Sequence, residues 1–146
     1  MDLTYFLPVI YAFVACIGFA LMYNIHGKNL FWAAVGGACG WFAYLLVLPL
    51  ASAYVAAFVS AAVVATYAEI MSRARKCTTL TFLLVGVIPM VPGAGIFHTM
   101  EYCIQGDTAH FVSEGLHTLG IAGALAIGIL VIDSTWRMIR LFQRTH

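Results

Sequence analysis

Charge is what this sequence has least of. Only 9% of its 146 residues are Asp, Glu, Lys or Arg, against 63% hydrophobic, whereas a soluble domain carries about 25% charged residues. A short soluble chain keeps much of its surface wet, and seven basic and six acidic side chains are too few to cover it. A lipid-facing surface needs no such cover. The net charge of +1 gives no basic stripe for nucleic acid or another polyanion. The four cysteines, Cys16, Cys39, Cys77 and Cys103, are scattered without a C-x-x-C pair, so neither a zinc site nor a disulfide framework is expected. No nucleophile–base pair, metal cluster or cofactor motif stands out, so the chain does not read as an enzyme and no cofactor is expected. The basic n-region of a cleaved signal peptide is also missing after Met1-Asp2, which leaves the first apolar stretch as a span.

What is present is a series of long apolar runs. About 20 apolar residues cross the hydrocarbon core as a helix. Five runs qualify: Leu3 to Tyr23, Leu30 to Leu48, Leu50 to Ile70, Thr78 to Cys103 and Phe111 to Ile132. The expected fold is an all-α, polytopic bundle of five transmembrane helices forming one domain over residues 1–146. Lys and Arg favour the cytoplasmic side. With the N-terminus outside and the C-terminus cytoplasmic, all seven basic residues, Lys28, Arg73, Arg75, Lys76, Arg137, Arg140 and Arg144, fall inside. Asp2, Glu101, Asp107 and Glu114 then fall outside.

Small residues recur at helical spacing: Gly36 and Gly40; Ala53, Ala57, Ala61 and Ala65; Gly120, Ala124 and Gly128. Such faces let helices approach closely in lipid. They serve either packing within one bundle or contact with another copy of the chain. Glu69 continues the alanine ladder, with Arg73 four residues on, and Asp133 and Arg137 repeat that spacing. These are interfacial pairs that fix helix ends, or groups that take part in transport.

The fourth run is interrupted. Pro89, Pro92, Gly93 and Gly95 fall near mid-span, counted from Lys76. Each proline removes an N–H, so the carbonyls of Val85 and Ile88 lose their i+4 donors. The segment is either a simple proline kink or a broken fourth helix that restarts at Pro92-Gly93. A restarted helix would aim free N–H groups and a positive dipole end at the membrane centre, which suits a carboxylate. On that reading Pro89, Pro92, Gly93, Ala94, Gly95 and His98 are candidate substrate-binding residues. His98 stands three residues before Glu101, as a proton relay or as an interfacial histidine.

Three stretches together resemble a known family: Gly18-Phe19-Ala20-Leu21-Met22-Tyr23-Asn24, Ile88-Pro89-Met90-Val91-Pro92-Gly93 and Gly123-Ala124-Leu125-Ala126-Ile127-Gly128. In this order the chain resembles the small-subunit type of the threonine/serine exporter family, which includes small subunits of bacterial succinate (dicarboxylate) exporters. His26-Gly27-Lys28 stands where that family often has a proline. The resemblance implies export across the cytoplasmic (inner) membrane, a small carboxylate-bearing substrate, and a larger partner subunit. A structural or assembly subunit without substrate contact is the competing reading.

Overall fold

The computed structural model describes the main chain of Leu3–Arg144 and the side chains of residues 7–141. Asp2 and the Arg144 side chain, both used in the orientation argument, lie outside the described residues. Six α-helices follow one another: α1 (Leu3–Met22), α2 (Lys28–Val47), α3 (Ala53–Arg75), α4 (Thr79–Val87), α5 (Gly93–Gln105) and α6 (Thr108–Arg144). A single 3-10 turn, Ile88–Met90, sits between α4 and α5, and the described residues contain no strand.

Helix ends follow local chemistry. α2 stops at Val47: Leu48 keeps helical backbone angles and still donates to Tyr44 O at 3.0 Å, but Pro49 has no N–H with which to carry the ladder on. α5 ends where Gly106 adopts φ 75° and donates to Cys103 O at 3.2 Å, while Asp107 N donates to Tyr102 O at 3.1 Å. That pair of bonds closes the open carbonyls of the last turn. α6 runs through 37 residues, well past Ile132, because nothing from Asp133 to Arg144 is a proline or glycine.

α2, α3 and α6 are each long and apolar enough to cross a membrane, and α4 and α5 qualify as a pair bent by 52°. That makes three spans, or four with the bent pair, where the hydropathy pattern alone suggests five. α1 reaches 20 residues only when counted from Leu3.

α3 is the centre of the bundle, packed against α2, α4 and α6; α1 lies on α2, and α5 touches α6 alone. The close approaches are made by glycine and alanine. A Cβ on Gly36 would stand 2.6 Å from the Tyr67 ring, which its hydroxyl ties to Trp32 O at 2.7 Å. A Cβ on Gly40 would overlap Met90 and Val64, and one on Gly128 would stand 2.7 Å from the Phe58 carbonyl oxygen. Gly120 faces the ring of Tyr54. Ala57 and Ala61 are buried with Val64, Met90 and Leu125 in one apolar cluster. The four glycines singled out from the sequence, with Ala57, Ala61 and Ala124, thus meet neighbours in their own chain. Two further glycines carry the same load without a G-x-x-x-G signature: Gly37 against Cys16, and Gly86 against Val64. The one buried hydroxyl in this region, Ser60, donates to Gly40 O at 2.8 Å, so it carries no desolvation penalty.

Polar contacts tie one end of the bundle together. Arg75 Nε donates to Asn29 Oδ1 at 3.0 Å, Arg140 meets Glu69 at 3.5 Å, and the Arg73 guanidinium lies 4.4 Å over the Trp136 ring. The basic groups of the α3–α4 turn and of α6, with the start of α2, therefore gather at one end. Glu101, Asp107 and His110 lie beyond the break, on the far ends of α5 and α6.

Candidate functional site at the helix break

The break is set by two prolines and held by partners that replace the missing donors. The Val85 carbonyl, left open because Pro89 has no N–H, accepts the Cys16 thiol of α1 at 3.4 Å. The Ile88 carbonyl, left open by Pro92, accepts Val91 N–H at 3.2 Å. Both open carbonyls are satisfied, so the break is a built feature and not a frayed helix. Pro92 then caps α5, which starts at Gly93.

At the start of α5, Gly93 N–H bonds to Val91 O at 2.7 Å and Ile96 N–H to Pro92 O at 3.1 Å. Ala94 and Gly95 N–H have no such acceptor among the described residues, as expected of a first helical turn. The helix dipole adds roughly half a positive charge there.

These groups face a crevice of about 390 Å³ lined by Pro89 to Gly95, by Trp41 and Tyr44 of α2, and by Glu114, His117, Thr118 and Ile121 of α6. Trp41 and Tyr44 stack at 5.3 Å and form one wall. Two polar atoms of residues lining the crevice are buried without a hydrogen-bond partner among the described residues: Trp41 Nε1 on α2 and Thr118 Oγ1 on α6. Thr118 is only 7% exposed, and a Cβ on Gly95 would overlap its hydroxyl. A buried donor with no acceptor costs about 1–3 kcal/mol. The crevice thus carries polar side chains on two helices, Trp41 and Tyr44 of α2 and Glu114, His117 and Thr118 of α6, beside the first turn of α5.

Of the sequence candidates, Pro89, Pro92, Gly93, Ala94 and Gly95 come together in this crevice. His98 does not line it; it is exposed and its Nδ1 lies 3.2 Å from Glu101 Oε2. Trp41, Glu114, His117 and Thr118 were not singled out from the sequence. The last three share one face of α6 at i, i+3 and i+4, a polar face inside an apolar span that the sequence does display. Among the described residues no group of three or more His, Cys, Asp or Glu is placed to hold a metal.

A bundle of helices apolar and long enough to cross a membrane, one of them broken, defines a multi-pass membrane protein in outline. The family model described as "Threonine/Serine exporter, ThrE" matches residues 8–135, most of the chain. The chain belongs to the threonine/serine exporter family. No solved structure matches it.

Proposed function

We propose that this chain is the smaller subunit of an inner-membrane exporter of small carboxylate-bearing metabolites. Amino acids such as threonine or serine, and dicarboxylates such as succinate, are the candidate substrates. The observation that carries the reading is the set of donors without acceptors at residues around one crevice: Trp41 Nε1, Thr118 Oγ1 and the N–H groups of Ala94 and Gly95. A substrate carboxylate supplies the missing acceptor, as anions do at other helix N-termini. Glu114, at the same crevice, favours an amino acid, whose ammonium it would pair with, over a dicarboxylate, whose second charge it would repel.

In this reading the chain threads the membrane five times, α4 and α5 counting as one broken span, with the basic end cytoplasmic and the N-terminus outside. The gathering of Arg73, Arg75, Arg140 and the start of α2 at one end supports that threading. A larger subunit of the same family is the proposed partner. α5 has no buried residue and touches only α6, which leaves it a face for another protein to cover. The same observation favours the second reading, an assembly subunit whose α5 docks the partner without touching substrate.

The two readings separate in an efflux assay on cells or vesicles loaded with labelled L-serine. Thr118→Val removes the hydroxyl with little change of shape. An exporter subunit loses efflux at normal abundance and partner binding. An assembly subunit keeps efflux.

A further inference from the structure

We infer that Cys16 of α1 is a positioning residue for the crevice at the break: its thiol, held on the Val85 carbonyl, sets the angle at which α5 leaves the 3-10 turn. The hydrogen bond and the angle stand apart from the exporter reading. Only their effect on export rests on it.

Within a bilayer a main-chain carbonyl has to find its donor inside the protein. Pro89 leaves the Val85 carbonyl without one, and the Cys16 thiol supplies it from another helix, at 3.4 Å. The nearest main-chain donors that could take its place flank the proline. Ile88 N–H would tighten the turn to 3-10 form, and Met90 N–H would widen it to π form. Each bond winds Ile88–Met90 differently and sends α5 off in a different direction. A donor from outside the broken helix removes that choice.

Three helices build the place for the thiol. Cys16 is fully buried. A Cβ on Gly37 of α2 would overlap its sulfur and would stand 3.6 Å from the Gly86 Cα of α4. Two glycines thus bring α1, α2 and α4 together beside Val85. One turn back on α1, Ala12 and Ala15 line a shallow groove with Trp41 and Pro89. Trp41 and Pro89 also line the crevice at the break. α1 therefore stands behind one wall of that crevice, and the thiol is its hydrogen bond to the broken span.

α5 is the part of the span most exposed to a change of angle. It has no buried residue and packs on α6 alone among the described residues. The 52° bend is therefore set at the turn. After Pro89 the turn is held from α3, where Ser60 meets the Met90 sulfur. Before Pro89 it is held by the thiol.

The chain carries its own reporters. Cys39 of α2 and Cys103 of α5 are exposed, whereas Cys16 is buried. Cys103 stands about 15 Å along α5 from Gly93, so a swing of about 10° moves it about 3 Å. The test is the distance between spin labels on Cys39 and Cys103, in Cys77→Ser protein in lipid nanodiscs. Cys16→Ala is expected to shift or broaden that distance. Cys16→Ser, which leaves a similar gap but keeps a donor, is expected to hold it. The infrared S–H band that Cys16→Ala removes is read on unlabelled protein. It is expected at the lowered frequency of a bonded thiol, and to rise in Pro89→Ala, where the main chain regains its own donor for Val85. An unchanged distance in Cys16→Ala, the same displacement in Cys16→Ser, or an S–H band at the free-thiol frequency overturns the proposal, whatever the export result. L-serine efflux then separates it from the exporter reading. Cys16→Ala is expected to raise the half-saturating serine concentration about fivefold, the net worth of about one hydrogen bond. If the distance moves and half-saturation does not, the positioning role stands and the substrate does not sit at this crevice. If the unsubstituted chain exports no serine while the distance moves, the exporter reading falls alone.

Discussion

Gly95 of α5 and Thr118 of α6 are in such close contact that a single methyl group on Gly95 would overlap the Thr118 hydroxyl. Among the described residues α5 packs on α6 alone, so this contact helps to set where its N-terminus points. Gly95→Ala should push α5 outward at a cost of about 1–3 kcal/mol, lowering the apparent melting temperature and cutting export. Gly95→Ala combined with Thr118→Ala removes the overlap. The double variant is expected to recover stability but not export, because the hydroxyl is gone. Thermal melting and serine efflux on the same preparations separate the two effects, and full recovery of export would show that the hydroxyl takes no part.

The glycines of α6 should differ from one another. A Cβ on Gly128 would meet the Phe58 main-chain oxygen at 2.7 Å, and one on Gly120 would meet the Tyr54 ring at 2.6 Å. Main chain cannot move aside, whereas Tyr54 is 41% exposed and its ring can swing. Gly128→Ala is therefore expected to lower stability by about 1 kcal/mol or more, and Gly120→Ala by much less. Both glycines pack within one chain, so neither change should alter the size of the purified particle. A change of size in either variant would place that face at a contact between copies.

How far this was legible in the sequence depends on where each constraint resides. The break shows in the sequence because Pro89 and Pro92 act on their own backbone through missing N–H groups. What holds the break is another matter. The Cys16 thiol that closes the Val85 carbonyl comes from 69 residues away, and no local pattern announces it. The pair Glu69–Arg73 follows from i,i+4 spacing, but the second guanidinium on Glu69, from Arg140, depends on how α3 meets α6. α6 also outruns the apolar run, Phe111 to Ile132, that marks it in the sequence. Hydropathy falls at Asp133, while the helix continues because helix formation needs only the absence of breakers. The polar face of Glu114, His117 and Thr118 was there to read; its importance shows only once α5 turns its N-terminus toward it.

The threading makes a prediction about sides. A reporter fused after His146 should read cytoplasmic, and one inserted at Asp107 should read external. Both follow from the gathering of the basic groups at one end. A cytoplasmic reading at Asp107 would remove either α1 or the bent α4–α5 pair from the count of spans.

Acid should loosen the start of α6. Asp107 accepts the His110 main-chain N–H at 3.2 Å and meets His110 Nδ1 at 2.7 Å. The His110 main-chain and side-chain hydrogen bonds hold the Asp107 carboxyl below its usual value. A carboxyl lowered in the folded state stabilises it above the ordinary pKa, and that support is lost as pH falls through the lowered value. Protection of the Thr108–His110 amides, relative to the intrinsic exchange rate at each pH, is therefore expected to drop as pH falls below about 4. In Asp107→Asn, which cannot titrate, this acid step should be absent. An acid step of the same size in both proteins would rule out Asp107 as its source.

The central claim is that substrate occupies the crevice at the start of α5, and Gly93 tests it most directly. A Cβ on Gly93 would meet nothing within 4 Å, so a first side-chain carbon there has open space, and Gly93 lines the crevice. Gly123, on α6 outside that crevice, also has nothing within 4 Å of a Cβ and serves as the control. The measurement is the rate of L-serine efflux from loaded cells carrying Gly93→Val or Gly123→Val at matched abundance and thermal stability. The account predicts that Gly93→Val loses at least about 90% of efflux, equivalent to about 1.4 kcal/mol, while Gly123→Val exports at the unsubstituted rate. Efflux at the full rate from a stable Gly93→Val protein would contradict it.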